Sequence, residues 1–166
     1  VKKRDFDIAF RGLALGQHEF QYDLDDTFFT LFEYSDYRGL RGTTELKMLK
    51  SETVLDLELH FAGSIEVPCD ITNEMYTQAL KNSFVMQIKF GDEYNDENEE
   101  LLILPHGNYQ FNAAQMLYEL VVLSIPSKLL GPNAGNGLED LIEEEEDETE
   151  EKTDPRWDQL KNLLNK

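Results

Sequence analysis

A period of two dominates residues 1–130. Phe6, Ile8 and Phe10 alternate with Asp5, Asp7 and Ala9, and His18, Phe20, Tyr22 and Leu24 alternate with Glu19, Gln21 and Asp23. Both runs read as half-buried strands, with successive side chains pointing to opposite faces. The pattern is clearest in Leu55, Leu57, Leu59 and Phe61 against Asp56, Glu58 and His60, and in Phe84, Met86, Ile88 and Phe90 against Val85, Gln87 and Lys89. Leu46 and Met48 predict a strand entering a hairpin through Lys50, Ser51 and Glu52. Leu101 to Leu104 predicts a short strand after the acidic turn Asp92 to Glu100.

Helical signals are fewer. Asp25 or Asp26 can cap a short turn carrying Phe28, Phe29, Leu31 and Phe32. A longer helix opens at Asn112, with Gln115 three positions on as in a capping box, and puts Ala113, Met116, Leu117, Leu120 and Val121 on one face until Pro126. Strands and helices do not alternate as βαβ units, and no repeat is present. The expected fold is therefore α+β, a mainly antiparallel sheet covered by one main helix, with barrel-like closure of the sheet as an open variant.

Charge divides the chain. Its 166 residues carry 15 Lys and Arg against 34 Asp and Glu, a formal net charge of -19. Residues 139–166 hold 12 acidic and 4 basic side chains, leaving 22 against 11 in residues 1–138. The run from Leu138 to Glu151 repels itself and has little to bury, which predicts a solvated, mobile linker over residues 132–153, introduced by Gly131, Pro132, Gly135 and Gly137. Beyond it Asp154 can act as N-cap and Pro155 as first residue of a helix over 154–166, with Trp157, Leu160 and Leu164 on one face. So short a helix is marginal alone, which implies docking on its own sheet or on a partner. Residues 1–131 form the expected globular domain. At 40% hydrophobic residues it has enough apolar surface for a core, since a domain of this size buries roughly 68% of its unfolded surface.

The acidic balance argues against naked nucleic acid as primary ligand, because phosphate binding is driven by Lys and Arg displacing counterions. Lys2, Lys3, Arg4 and Arg11 at the start, and Arg38 with Arg41, are the two clusters available for RNA contact. Seven Tyr and one Trp could stack on bases, but for most of them strand and helix spacing favours core packing. Cys69 is the only cysteine, so no intramolecular disulfide and no Cys-x-x-Cys pair exists. No apolar run reaches signal-peptide or membrane-span length, and a soluble cytoplasmic protein is expected. The absence of an initiator Met suggests a trimmed or processed start.

Catalytic signals are weak. His18 lies on the apolar side of its predicted strand, His60 on the polar side of another, and His106 in a Pro-His-Gly turn, with no shared motif spacing. No Gly-x-Ser-x-Gly and no phosphate-cradling Gly-rich loop with Lys occurs. The acidic run lacks the Asp-x-Asp-x-Asp-Gly order of a calcium loop. Cys69 has Thr72 where a zinc site would want a second thiol, so neither metal nor cofactor is expected.

Four segments in succession give the chain a wider resemblance. They are Ile8 to Phe29, which contains Gly12, Gly16, His18 and Phe20; the Cys69-Asp70 hairpin; the Tyr118-Glu119 helix ending in Leu-Ser-Ile-Pro at Pro126; and the close Asp154-Pro155-Arg156-Trp157. In this order they resemble the YceD-like proteins, a bacterial and plastid family also called large ribosomal RNA subunit accumulation proteins. The resemblance implies a role in making or preserving 23S ribosomal RNA and in assembling the large subunit, without catalytic residues to carry over. Many relatives have Cys-x-x-Cys at the Cys69 hairpin and further cysteines before Asp-Pro-Arg. Here Thr72 and a Glu-rich stretch stand instead, similar to Bacteroidetes-type members. The expected function is that of a non-catalytic factor binding a basic ribosomal protein or pre-ribosomal particle, with ribosomal RNA touched indirectly and no membrane involved. The alternatives are an enzyme acting on ribosomal RNA or its processing intermediates, and an acidic interaction module without a ribosomal link.

Overall fold

The computed structural model describes residues 2–98 and 100–135. After a 3-10 turn at Lys3–Phe6 come β1 (Asp7–Ile8), β2 (Gly16–Asp25), α1 (Asp26–Phe29), β3 (Arg38–Lys50), β4 (Val54–Pro68), β5 (Met75–Gly91), β6 (Asn95–Asn98), β7 (Leu101–Pro105), β8 (Phe111–Asn112) and α2 (Ala114–Val122). Six strands form one sheet in the order β2-β3-β4-β5-β7-β6, and β1 pairs with β8 as a separate ribbon. The α+β expectation holds. Barrel-like closure does not, because β2 and β6 end the sheet without pairing to each other.

Alternation sets the register. On the inner face Leu46, Leu59 and Phe84 stand in one cross-strand row, and Met48, Leu57 and Met86 in the next. Leu46, Met48, Leu57 and Leu59 are essentially buried. A slip by one residue would turn all of them to solvent, so the hydrophobic pattern fixes the pairing. The outer face carries Lys47, Glu58 and Val85 in register, then Glu45, His60 and Ser83.

The strands run further than their alternation. β4 continues through Ala62, Gly63 and Ser64 to buried Ile65 and Val67. Gly63 sits directly opposite Gly42, and a Cβ there would lie 2.5 Å from the Arg41 carbonyl and 2.8 Å from the Phe61 ring. Two facing glycines thus let the Phe61 ring lie over the strands, at the cost of breaking the visible pattern.

The first expected strand needs correcting. Phe6, Ile8 and Phe10 are all buried, but Phe6 closes a 3-10 turn and only Asp7–Ile8 is extended. Short reach explains this: β1 has only β8 to pair with, and Asn112 ties the segment by donating to the Lys3 carbonyl and the Asp7 carboxylate, both at 2.6 Å. The pairing is also not antiparallel throughout, since β7 runs parallel to β5 while β6 flanks it outside.

Asp25 caps α1, accepting from the Thr27 N–H at 2.9 Å, while Asp26 accepts from the Leu40 N–H at 2.8 Å and fixes the turn to β3. The main helix is shorter than expected and its capping box does not form. Asn112 accepts from the Ala114 N–H at 3.0 Å, but the Gln115 amide donates forward to Glu119 at 2.7 Å. Nine residues cannot hold a helix in water. Packing does so here, with Leu117, Leu120 and Val121 buried on the sheet, each contributing about 1.5–3 kcal/mol. The packed body extends to Ala134, 8% exposed. The acidic linker expected from 132 lies, from residue 136 on, outside the described residues, as does the helix expected over 154–166.

Candidate functional site

The residues singled out in the sequence fall in three places. The first is the approach to β2. Gly12 is in the loop after β1, Gly16 opens β2 with φ 121°, and His18 and Phe20 follow on the strand's inner row. The His18 Nε2 lies 2.8 Å from the Ala14 carbonyl, so the imidazole braces the loop. Lys50 was not anticipated here. Its ammonium donates to the carbonyls of Phe10 and Leu13 at 2.8 and 2.5 Å, pinning that same loop from β3.

The second place is the β4–β5 turn. Asn73 takes the left-handed conformation, φ 56°, and Cys69 closes the turn by hydrogen bonds with Glu74 and Asn73, both 2.9 Å. Asp70 clamps the segment after α2. Its N–H donates to the Leu129 carbonyl and its carboxylate accepts from the Leu129 N–H, each at 2.7 Å. The Asn133 amide donates to Glu74 at 2.9 Å, and Gly131 lies close against the Tyr76 ring. The Cys69 side chain is buried. The Thr72 hydroxyl and the N–H groups of Thr72, Gly131 and Ile71 favour its thiolate over the opposing effect of burial, lowering its pKa from 9.0 to about 7. One thiol facing a hydroxyl is not a donor set for zinc, and among the described residues no three His, Cys, Asp or Glu converge.

The third place is the middle of α2, on the side away from the sheet, where Tyr118 is half buried and Glu119 exposed. Tyr118 stacks on Phe32 at 4.3 Å and meets Tyr34 edge-on at 5.9 Å, while the Lys3 ammonium sits 5.1 Å from the Phe32 ring centre. Burial first, then the charge of Asp36, pushes the Tyr34 pKa up to about 12. Tyr118 therefore packs the 30–37 loop onto the helix. Glu119 is exposed beside it, and Pro126 lies beyond the helix end.

Of the basic residues, Lys2 and Arg4 are exposed on the first turn and Arg11 on the loop after β1. Arg38 is in register with Glu66, and Arg41 lies between Asp25 and Ser64. Lys2 and Arg4, then Arg11, then Arg38 with Arg41 thus lie on three different parts of the chain, the first turn, the loop after β1 and β3. His60 is 2.8 Å from Glu58, with Glu45 across from it in register. Both partners of that pair are about half exposed on the open outer face, at 42% and 50%, so nothing excludes water from them. Among the described residues no helix is long and apolar enough to cross a membrane.

The sequence model for the large ribosomal RNA subunit accumulation protein YceD matches residues 57–164, more than half of the chain. The chain belongs to the YceD family. No curated protein and no solved structure matches it. The YceD match begins inside β4 and takes in the Cys69-Asp70 turn, Tyr118, Glu119 and Pro126. It also takes in Asp154, Pro155, Arg156 and Trp157, which lie outside the described residues. Gly12, Gly16, His18 and Phe20 precede it. By its name, the YceD family connects this fold with accumulation of the large-subunit ribosomal RNA.

Proposed function

We propose that this protein is a non-catalytic cytoplasmic factor that supports accumulation of 23S ribosomal RNA and assembly of the large subunit by binding a basic ribosomal protein or a pre-ribosomal particle. Family membership carries the ribosomal part of this reading. The mode of action is supported by charge and by the state of the polar side chains. At net -19 the chain meets phosphate against repulsion and meets Lys- and Arg-rich protein with attraction. Each histidine with a side-chain partner is in a bracing or solvated contact, His18 on a carbonyl and His60 on an exposed carboxylate. General acid/base chemistry would need such a group held against a nucleophile in a water-poor cleft.

The test is affinity for large-subunit RNA fragments beside affinity for basic large-subunit proteins, at matched ionic strength, with residues 139–166 present and deleted. Binding to basic protein that weakens as salt rises is expected. Tight RNA binding that survives deletion of the tail, with no measurable protein binding, overturns the reading.

A further inference from the structure

The two edges of the sheet differ. β6 is short, four residues, and its pairing with β7 is interrupted between Asn95 and Asn98. Short length and irregularity are ordinary protections for an edge. β2 has neither. Its ten residues pair with β3 without a register shift, from Gly16 with Lys50 to Asp25 with Arg41. It contains no Pro and no Lys. Among the described residues β2 has one neighbouring strand, β3, and no turn or loop backbone group hydrogen-bonds to Gly16–Leu24, while Asp25 at its end caps α1. Every second residue of β2 therefore turns its N–H and C=O outward, along about 33 Å of extended chain.

The side chains state what this edge prefers. The outer row of β2 is Gln17, Glu19, Gln21, Asp23 and Asp25, three acids and no base. Asp25 is committed to capping Thr27. Among the described residues Glu19 accepts only from the Gln17 amide at 3.0 Å, and Asp23 only from the Thr43 hydroxyl at 3.0 Å. Lys47 and Arg41 stand across from Glu19 and Asp25 on β3, yet neither is within ion-pair distance among the described residues. Within the inner row, which ends in buried Leu24, Phe20 and Tyr22 are packed on the core but only half buried. A second copy of β2 is a poor occupant. Antiparallel pairing centred on Gln21 would put Glu19 against Asp23, and like charges directly opposite are destabilising.

We infer that the edge of β2 binds an extended, lysine- or arginine-rich segment of a protein partner as a seventh strand. Backbone hydrogen bonds hold the segment, its basic side chains alternate onto the Glu19–Asp23 face, and its intervening residues cover Phe20 and Tyr22. This rests on the reading above that the partner is a basic protein, and adds where and how it is held.

The experiment uses the full chain and a synthetic peptide of about twelve residues alternating lysine with valine or threonine. Affinity is measured by fluorescence anisotropy, and amide exchange is followed along Gly16–Asp25. Two further peptides carry N-methyl groups on one or the other alternating set of backbone nitrogens. Binding with new protection of alternate β2 amides, lost for one N-methyl set and kept for the other, is the expected result. Glu19→Lys with Asp23→Lys should weaken lysine-peptide binding roughly tenfold and create affinity for the matching glutamate peptide. Glu19→Lys alone, checked by circular dichroism, serves should the double variant misfold. Binding without β2 protection, equal loss for both N-methyl sets, or protection of β2 by a large-subunit RNA fragment instead of the peptide overturns the inference. Basic large-subunit proteins that bind the charge-reversed chain as well as the parent overturn the edge alone and leave the proposed function standing. Failure of both peptide and basic proteins to bind overturns the function as well.

Discussion

Thr44 is the most direct test of the inner face. It lies in the middle of β3, in register with Tyr22 on one side and Phe61 on the other. It is fully buried, 0% exposed, and its hydroxyl has no hydrogen-bond partner among the described residues. A hydroxyl taken from water without a replacement bond costs about 1–3 kcal/mol by mutational measures. Thr44→Val removes that group, keeps the branched shape and fills the same space with a methyl, in a strand where branched residues pack well. The expected gain is about 1–2 kcal/mol, or roughly 2–4 °C in Tm per kcal/mol for a chain of this size. Thr44→Ser is the control, since it keeps the hydroxyl and loses a methyl, at a cost of about 0.8 kcal/mol. Urea unfolding should move the Val variant to a higher midpoint with unchanged slope, because the exposed area on unfolding hardly differs. A Val midpoint at or below that of the parent would mean that the hydroxyl is bonded in solution, and would refute the account of this position as an unsatisfied polar group.

Two further outcomes follow from the β4–β5 turn. Asp70→Ala should cost about 1.5–3 kcal/mol, the range for a hydrogen bond to a charged group, and should speed amide exchange at Leu129. Asp70→Asn, which keeps an acceptor, should cost less, and equal stability of all three chains would show that the clamp contributes nothing. Cys69 gives a pH dependence: with its pKa lowered from 9.0 to about 7 in the folded chain, the folded state binds fewer protons than the unfolded state across that window. Stability contributed by the thiolate is therefore complete above about pH 9 and lost as pH falls through about 7. The difference in unfolding free energy between the parent and Cys69→Ala should grow from pH 6 to pH 9, and a flat difference would contradict the thiolate assignment.

What could be read from the sequence follows a physical line. Leu55 to Phe61 and Phe84 to Phe90 were legible because one face of each strand meets the core and the other meets water, so burial writes a period of two into the residues. Asp25 as a cap was legible because α1 leaves N–H groups that only a neighbouring acceptor can satisfy. The capping box at Gln115 failed for a similar reason. Once the Asn112 amide holds Lys3 and Asp7, the local motif competes with tertiary bonds, and Gln115 finds Glu119 one turn on. The Phe6–Phe10 alternation correctly marked buried positions but only the two residues of β1 as strand, because an aromatic can reach the core from a 3-10 turn as well as from a pleat.

The features on which the proposed edge site rests were the least legible, and for a common reason: they depend on which strand lies beside which. Nothing in Leu101 to Pro105 says that it joins β5 in parallel, yet that choice gives one end of the sheet to short, irregular β6. The other end is left to β2, whose acidic row looks in sequence like any solvated strand face. Only the sheet order turns Glu19 and Asp23 from surface charge into residues flanking a line of backbone groups that no strand pairs among the described residues. The same row can then serve two ends. Against another β2 it sets acid beside acid and opposes self-pairing, while against a basic strand the same geometry is attractive. In a fold without edge lysine, proline or bulge on that strand, acidic charge is the device left on it to discriminate between strands, which is why the occupant we propose is a segment of opposite sign.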